Sequence, residues 1–205
     1  MPSDFLRAGS VLGDGERANG ARALIFREVE DRDLVGKARR GDVEAYNCLV
    51  SRWEKRLYNY LLKLVGDRED ALDLTQEVFL KAYQALRKLE DPSRFAPWLY
   101  RIAHNEAYSL LRRRRPEEEL DEIAPPWAAS RLLPAETALA VAAALGRLPE
   151  EQREAVVLKI YEGFKFEEIA SILDCPISTV KSRVYTALDR LKEALAPIRT
   201  RGEAG

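Results

Sequence analysis

From about residue 31 onward, apolar residues recur at three- and four-residue spacing, the period of helices that bury one face. Leu34, Val35 and Ala38 open the pattern, and Gly41-Asp42 interrupts it. Val43, Tyr46, Leu49, Val50, Trp53, Leu57, Tyr60, Leu61 and Leu64 then mark one side of a long amphipathic helix. Gly66-Asp67 reads as a helix stop followed by a restart. Beyond it Ala71, Leu74, Val78, Ala82 and Leu86 form a stripe, and Asp70, Asp73, Glu77 and Lys81 fall on the opposite side. Asp91-Pro92-Ser93 predicts a turn. Pro97 suits the first turn of the next helix, which carries Trp98, Leu99, Ile102, Ala103, Leu110 and Leu111 and ends before Pro116.

Acids, Pro125-Pro126, Ser130 and Pro134 make residues 116–134 the best linker in the chain. Helical patterns resume from about Ala135 to Arg147 and break at Leu148-Pro149. They run again from Glu150 to Tyr161, with Gly163 as the stop, and from Phe166 to Leu173. A turn at Asp174-Cys175-Pro176 leads to a last helix, Ser178 to about Leu195. Neither strand alternation nor an internal repeat is visible. The predicted fold is all-α: two small helical domains, 29–115 and 135–196, joined by a flexible acidic linker. Residues 1–28 read as a mobile extension and 197–205 as a tail.

Composition narrows the function. The chain is 46% hydrophobic, which is enough for a core, and 33% charged, above the ~25% of an average globular chain. Its net charge of −1 departs from the basic balance of a free DNA-binding domain, so any DNA contact must be local or assisted by a partner. The run Arg112 to Arg115 gives way at once to Glu117, Glu118, Glu119, Asp121 and Glu122, a sign reversal that suits two surfaces with different partners. Cys48 and Cys175 are far apart and no CxxC occurs, which argues against a disulfide framework or a zinc site and fits a reducing compartment. No apolar run nears the ~18 residues of a membrane span, and no basic-then-apolar leader opens the chain. Membrane insertion is therefore not expected, and the expected location is the cytoplasm. His104 is the single histidine, with no cysteine or carboxylate constellation around it in sequence. With no phosphate loop, metal cluster or nucleophile–base pair in view, an enzyme, a cofactor, a bound metal and a small-molecule substrate are all not expected.

Residues 166–192 carry the sharpest local signal. Phe166, Ile169, Ala170 and Leu173 give a short helix one buried face; Val180, Val184, Ala187, Leu188 and Leu191 do the same for a longer one after a tight turn. That is a helix-turn-helix pattern. Asp174 stands where the turn commonly has glycine, and aspartate tolerates the conformation required. Ser178 is placed to cap the second helix. The free face of that helix offers Thr179, Lys181, Ser182, Arg183, Thr186 and Arg190, side chains that reach phosphates and base edges.

With those residues in view, LPEEQREAVVLKIYEGFKFEEIASILDCPISTVKSRVYTALDRL, Leu148 to Leu191, closely resembles the sigma-four domain of the extracytoplasmic-function (ECF) branch of sigma-70 family sigma factors. DREDALDLTQEVFLKAYQAL, from Asp67, resembles the sigma-two helix that docks on the polymerase clamp. FAPWLYRIAHNEAYSLLRRRR, from Phe95, resembles the segment that opens and reads the minus-10 element. Both blocks occur in family order across about residues 31–196. Ser178 stands where the family usually carries glycine, and Tyr185, Thr186 and Asp189 also depart from its pattern.

The resemblance implies a subunit that binds core RNA polymerase through the β′ clamp and β flap and binds promoter DNA. It also implies an anti-sigma factor as a partner, which could hold the chain near the membrane. Asp70, Asp73, Gln76 and Glu77 are implied as the polymerase-docking face, with charge complementarity orienting the encounter. Arg94, Phe95, Trp98, Arg101, His104, Asn105, Tyr108 and Arg112 are the minus-10 candidates. They mix stacking surfaces, an amide edge reader at Asn105 and phosphate partners at Arg101 and Arg112. Residues 91–95 would flank a flipped base. Ser178, Thr179, Lys181, Ser182, Arg183, Thr186 and Arg190 are the minus-35 candidates. Glu117 to Glu122 are expected either to imitate an RNA backbone in polymerase channels or simply to keep the linker solvated. Two rival readings make other predictions. A helix-turn-helix regulator would bind palindromic DNA without polymerase, and a helical adaptor would bind proteins only.

Overall fold

The computed structural model describes residues 29–114 and 135–202, and the side chains of 29–114 and 137–196. The N-terminal extension, the linker with Glu117 to Glu122, and Arg115 lie outside the described residues. The first half has four helices: α1 (Asp31–Ala38), α2 (Val43–Val65), α3 (Arg68–Ala85) and α4 (Phe95–Arg114). Short 3-10 turns at Leu86–Lys88 and Pro92–Arg94 join α3 to α4. The second half holds α5 (Ala135–Gly146), α6 (Glu150–Val156), a π turn (Val157–Tyr161), α7 (Phe166–Leu173) and α8 (Ile177–Gly202).

Local chemistry accounts for most boundaries. Asp42 caps α2 by accepting from the Ala45 N–H at 3.0 Å, and Gly66 closes it in the left-handed region at φ 78°. Asp67 caps α3 by accepting from the Asp70 N–H at 2.9 Å, so the predicted stop and restart occur on neighbouring residues. Helix α4 starts at Phe95, which places Pro97 in the first turn, where its missing N–H costs nothing.

Packing in the first half follows the predicted stripe on α3 and most of α2, but Val43 is exposed, and on α4 Phe95, Tyr100 and Ala107 are buried while Trp98, Ile102, Leu110 and Leu111 are only partly covered. Leu34, Leu49, Leu57, Leu61, Val78, Phe95 and Leu99 are buried in a single core. Polar ties pin the helices at the edge of that core. Trp53 Nε1 donates to Asp31 at 2.9 Å, Arg52 pairs with the same carboxylate, and Lys81 bridges Glu77 and Glu106 at 3.2 and 2.7 Å. Leu57→Ala would leave a cavity at the centre of α2, with an expected cost of about 2–5 kcal/mol. Urea unfolding followed by circular dichroism measures it, and a loss under 1 kcal/mol would mean that the site collapses.

The second half differs from expectation in three places. Helix α8 begins at Ile177, so Ser178 lies within its first turn rather than capping it, and the helix continues past Leu195 to Gly202, through most of the expected tail. Leu188 is 37% exposed, because the buried line runs through Val180, Val184 and Ala187 with Leu191 only partly covered. The predicted single helix 150–161 widens after Val156 into a π turn, where the Glu162 N–H donates to Val157 O, five residues back. The turn of the helix-turn-helix behaves as expected: Asp174 sits at φ 52°, ψ 46°, a left-handed conformation that aspartate enters more readily than most residues.

The two halves are joined by more than a linker. Ala155, Leu158, Phe164 and Ile169 of the second half belong to the same buried cluster as Leu57, Tyr60 and Tyr100 of the first. Phe164 meets the Tyr100 ring edge-on at 4.9 Å between centroids.

Candidate polymerase and promoter surfaces

The candidate docking face divides in two. Asp73, Gln76 and Glu77 are exposed on the outer side of α3. Asp70, one turn nearer the helix start, instead pairs with Arg114 at the end of α4 and is mostly covered. The helix thus presents a short acidic and amide strip, with Leu72 and Leu80 half-exposed beside it.

The minus-10 candidates on α4 have unequal surroundings. Arg94, Asn105 and Arg112 are exposed, and Trp98 is partly covered against Phe95 at 6.1 Å. Phe95 itself is 0% exposed and serves the core in this conformation. Arg101, His104 and Tyr108 face the second half. Arg101 donates to Ser171 O at 3.3 Å and pairs with Asp174 at 3.2 Å, in the turn between α7 and α8. His104 Nδ1 lies 2.8 Å from Glu154 Oε1, and its ring packs on Tyr108 at 4.5 Å.

On α8, Ser178, Lys181, Ser182, Thr186 and Arg190 are exposed and Thr179 is partly so. Arg183 turns away from that face. It pairs with Glu151 at 2.6 Å and contacts Cys175 Sγ at 3.8 Å. Lys159 and Lys181 flank the Phe166 ring, at 4.7 and 5.7 Å from its centroid.

Between the halves lies a polar network that the sequence did not single out. Glu154, only 1% exposed, accepts from Tyr60 Oη at 2.5 Å with the same oxygen that faces His104. Glu162, 9% exposed, accepts from Tyr100 Oη at 2.6 Å and from Arg56 Nε at 3.2 Å, and Arg56 Nη2 reaches the Glu162 carbonyl at 2.7 Å. Arg153 completes the seam by donating to Leu64 O at 3.1 Å. Burial, and then the adjacent carboxylates, push the hydroxyls of Tyr60, Tyr100 and Tyr108 well above the ordinary phenol range, so all three act as donors. A cleft of about 360 Å³ opens along this seam, lined by Asn105, Tyr108, Arg112, Glu151, Leu173 and Arg183. Minus-10 and minus-35 candidates therefore share one junction. Each of these contacts spans at least 50 residues of sequence, and Glu154 and Glu162 resemble any other solvated acids in the sequence, so no local signal could have found them.

Comparison with known proteins agrees with this layout. Residues 49–117 match the family described as sigma-70 region 2, and residues 138–191 match that described as sigma-70, region 4. The chain is 34% identical over 191 residues to the RNA polymerase sigma-H factor of Pseudomonas aeruginosa, covering 85% of this chain and 98% of that one. It is also 34% identical over 188 residues to the ECF RNA polymerase sigma-E factor of Escherichia coli, covering 83% and 97%. Among solved structures it is similar to CnrH in complex with the cytosolic domain of CnrY, with TM-score 0.64, 30% identity, and 82% and 97% of the two chains covered. It is similar as well to the sigma factor RpoE of Bartonella quintana in complex with the anti-sigma factor NepR, with TM-score 0.61, 29% identity, and 74% and 96% covered. Two regions matched in family order, with relatives at 34% identity aligned along nearly their whole length, make this chain a member of the ECF branch of the sigma-70 family of RNA polymerase sigma factors.

Proposed function

We propose that the chain carries out its sigma-factor function, binding core RNA polymerase and directing promoter-specific initiation, through three surfaces on two domains, 29–115 and 135–196. The strip Asp73, Gln76 and Glu77, with Asp70 at its base, docks on the β′ clamp. Helix α4 reads and melts the minus-10 element, with Asn105 at a base edge, Arg101 and Arg112 on phosphates, and Arg94, Trp98, His104 and Tyr108 around the unstacked strand. Helix α8 reads the minus-35 element through Ser178, Thr179, Lys181, Ser182, Arg183, Thr186 and Arg190. The observation that carries this reading is the pair of exposed faces of opposite charge, acidic on α3 and basic on α8, each within a different matched region. A chain of net charge −1 then gains most of its promoter affinity from the polymerase that carries it.

Sigma factors are initiation factors, and this chain catalyses no reaction of its own. Among the described residues no helix is long and apolar enough to cross a membrane, and we place the protein in the cytoplasm. A protein inhibitor covering the α3 strip or α8 would suit a fold whose solved neighbours were captured with protein partners. The test is to capture core RNA polymerase with the purified chain and then run off transcripts from a promoter pool. Core capture with promoter-specific transcripts is the expected result. If the chain captures no core but shifts a palindromic DNA on its own, it works as a free-standing regulator and the proposal fails.

A further inference from the structure

The cleft along the seam gathers groups that neither half explains by itself. Its volume of about 360 Å³ falls within the ~300–1,000 Å³ of small-molecule sites. Helix α4 forms one wall through Asn105, Tyr108 and Arg112, whose three- and four-residue spacing puts them on one face. Three helices of the second half form the other wall, with Glu151 from α6, Leu173 from α7 and Arg183 from α8. Asn105 and Arg112 are exposed, and among the described residues nothing hydrogen-bonds or pairs with their side chains. Glu151 holds Arg183 through Oε2, which leaves Oε1 open as an acceptor. Glu154, at the inner end, is already provided for: it accepts from Tyr60 and faces His104. Arg112 therefore supplies the one uncompensated charge of the cleft.

Each open group selects a kind of ligand atom. The planar forks of Arg112 and Arg183 suit a phosphate. The Tyr108 ring and the Leu173 side chain offer apolar faces to a flat ring. A carboxylate oxygen only accepts, so Glu151 repels a bare oxyanion and requires an N–H donor. Guanine presents two donors side by side, N1–H and N2–H2, where adenine presents one amino group. The Asn105 amide can both donate and accept at a base edge. We propose that this cleft binds a guanine nucleotide, with Arg112 and Arg183 on the phosphate, Tyr108 and Leu173 against the base, and Glu151 and Asn105 on its edge. The site exists only while the halves are joined, so a bound nucleotide adds its binding free energy to that joint. The assignment stands whether or not α4 and α8 read DNA, because it needs only the cleft.

Isothermal titration calorimetry on the full chain, with GMP, AMP, guanosine and inorganic phosphate as probes, tests the site. GMP is expected to saturate one site per chain and to raise the thermal midpoint. It should bind about tenfold more tightly than AMP, guanosine or phosphate, each of which lacks one set of contacts. Arg112→Ala should weaken GMP about tenfold and leave guanosine unchanged, because it removes a phosphate contact alone. Glu151→Ala should bring the ratio of GMP to AMP affinity to about one. Both side chains are exposed, so neither substitution should disturb the fold, and circular dichroism checks that. Arg113→Ala, exposed on α4 beside Arg112 but outside the cleft, should keep GMP affinity within about threefold. No saturable binding up to about 1 mM GMP overturns the site. Phosphate bound as tightly as GMP also overturns it, since the base then contributes nothing. AMP bound as tightly as GMP by the wild type overturns the choice of guanine. If Arg113→Ala weakens GMP as much as Arg112→Ala does, the binding is general attraction to the basic end of α4, and the cleft is not the site.

Discussion

Asp73→Arg is expected to weaken binding to core RNA polymerase by about thirtyfold or more, corresponding to about 2 kcal/mol, and to abolish run-off transcription from every promoter alike. Asp73 is exposed at the centre of the strip that Gln76 and Glu77 extend, so the substitution replaces attraction with repulsion over a short, solvent-facing contact. It should leave the fold intact, because the buried side of α3 is carried by Ala71, Leu74, Val78 and Ala82. Asp70→Ala is the informative contrast. Its carboxylate already holds Arg114, so part of its effect should appear as looser attachment of the α4 end rather than as lost docking. Surface plasmon resonance with immobilised core measures both. Binding by Asp73→Arg within threefold of wild type would remove α3 from the docking surface.

Lys181→Glu is expected to leave core binding unchanged and to eliminate transcripts from promoters that depend on a minus-35 element. Lys181 is exposed on α8, three residues before Val184 and one after Val180, so it stands outside the buried line of the helix-turn-helix. Losing its phosphate or base contact should cost about 1–3 kcal/mol, and a glutamate in its place adds repulsion from the DNA backbone. With Lys181→Gln, the slope of log affinity against log salt for the holoenzyme on promoter DNA should fall by about one. An unchanged slope with unchanged transcription would mean that α8 lies elsewhere. A substitution at Arg183 should alter the exposed face of α8 less than one at Lys181, because Glu151 on α6 of the same half pairs with Arg183.

How far these surfaces could be read from sequence depended on the range of the forces involved. The stripes of α2 and α3, the Gly66-Asp67 junction and the left-handed Asp174 are set by neighbours within a few residues, and all were legible. The exposed faces of α3 and α8 followed from the same periodicity. Ser178 was misassigned as a cap because a hydroxyl in that position fits the rule as well one residue inside the helix as at its boundary. Leu188 reads as core because it lies four residues after Val184, but the buried line runs through Val180, Val184 and Ala187. The seam was illegible for a different reason. Tyr60 reads as an ordinary member of an apolar stripe, Tyr100 as one aromatic of the minus-10 segment, and Glu154 and Glu162 as ordinary solvated acids. Only the docking of one half on the other turns these four into hydrogen-bonded pairs.

The π turn at Val157–Tyr161 has a consequence for phase. Two turns of α-helix take 7.2 residues, so two side chains eight apart would diverge by about 80° around an unbroken helix. Glu154 and Glu162 are eight apart. The wider turn absorbs one residue, and in angular terms the two acids become nearly seven apart, back on one side of the rod. A single-residue change in length between them, invisible to any count of charges or apolar positions, would carry Glu162 off the side that Glu154 occupies. In this stretch the length of the segment constrains the chain as strictly as the identity of its residues.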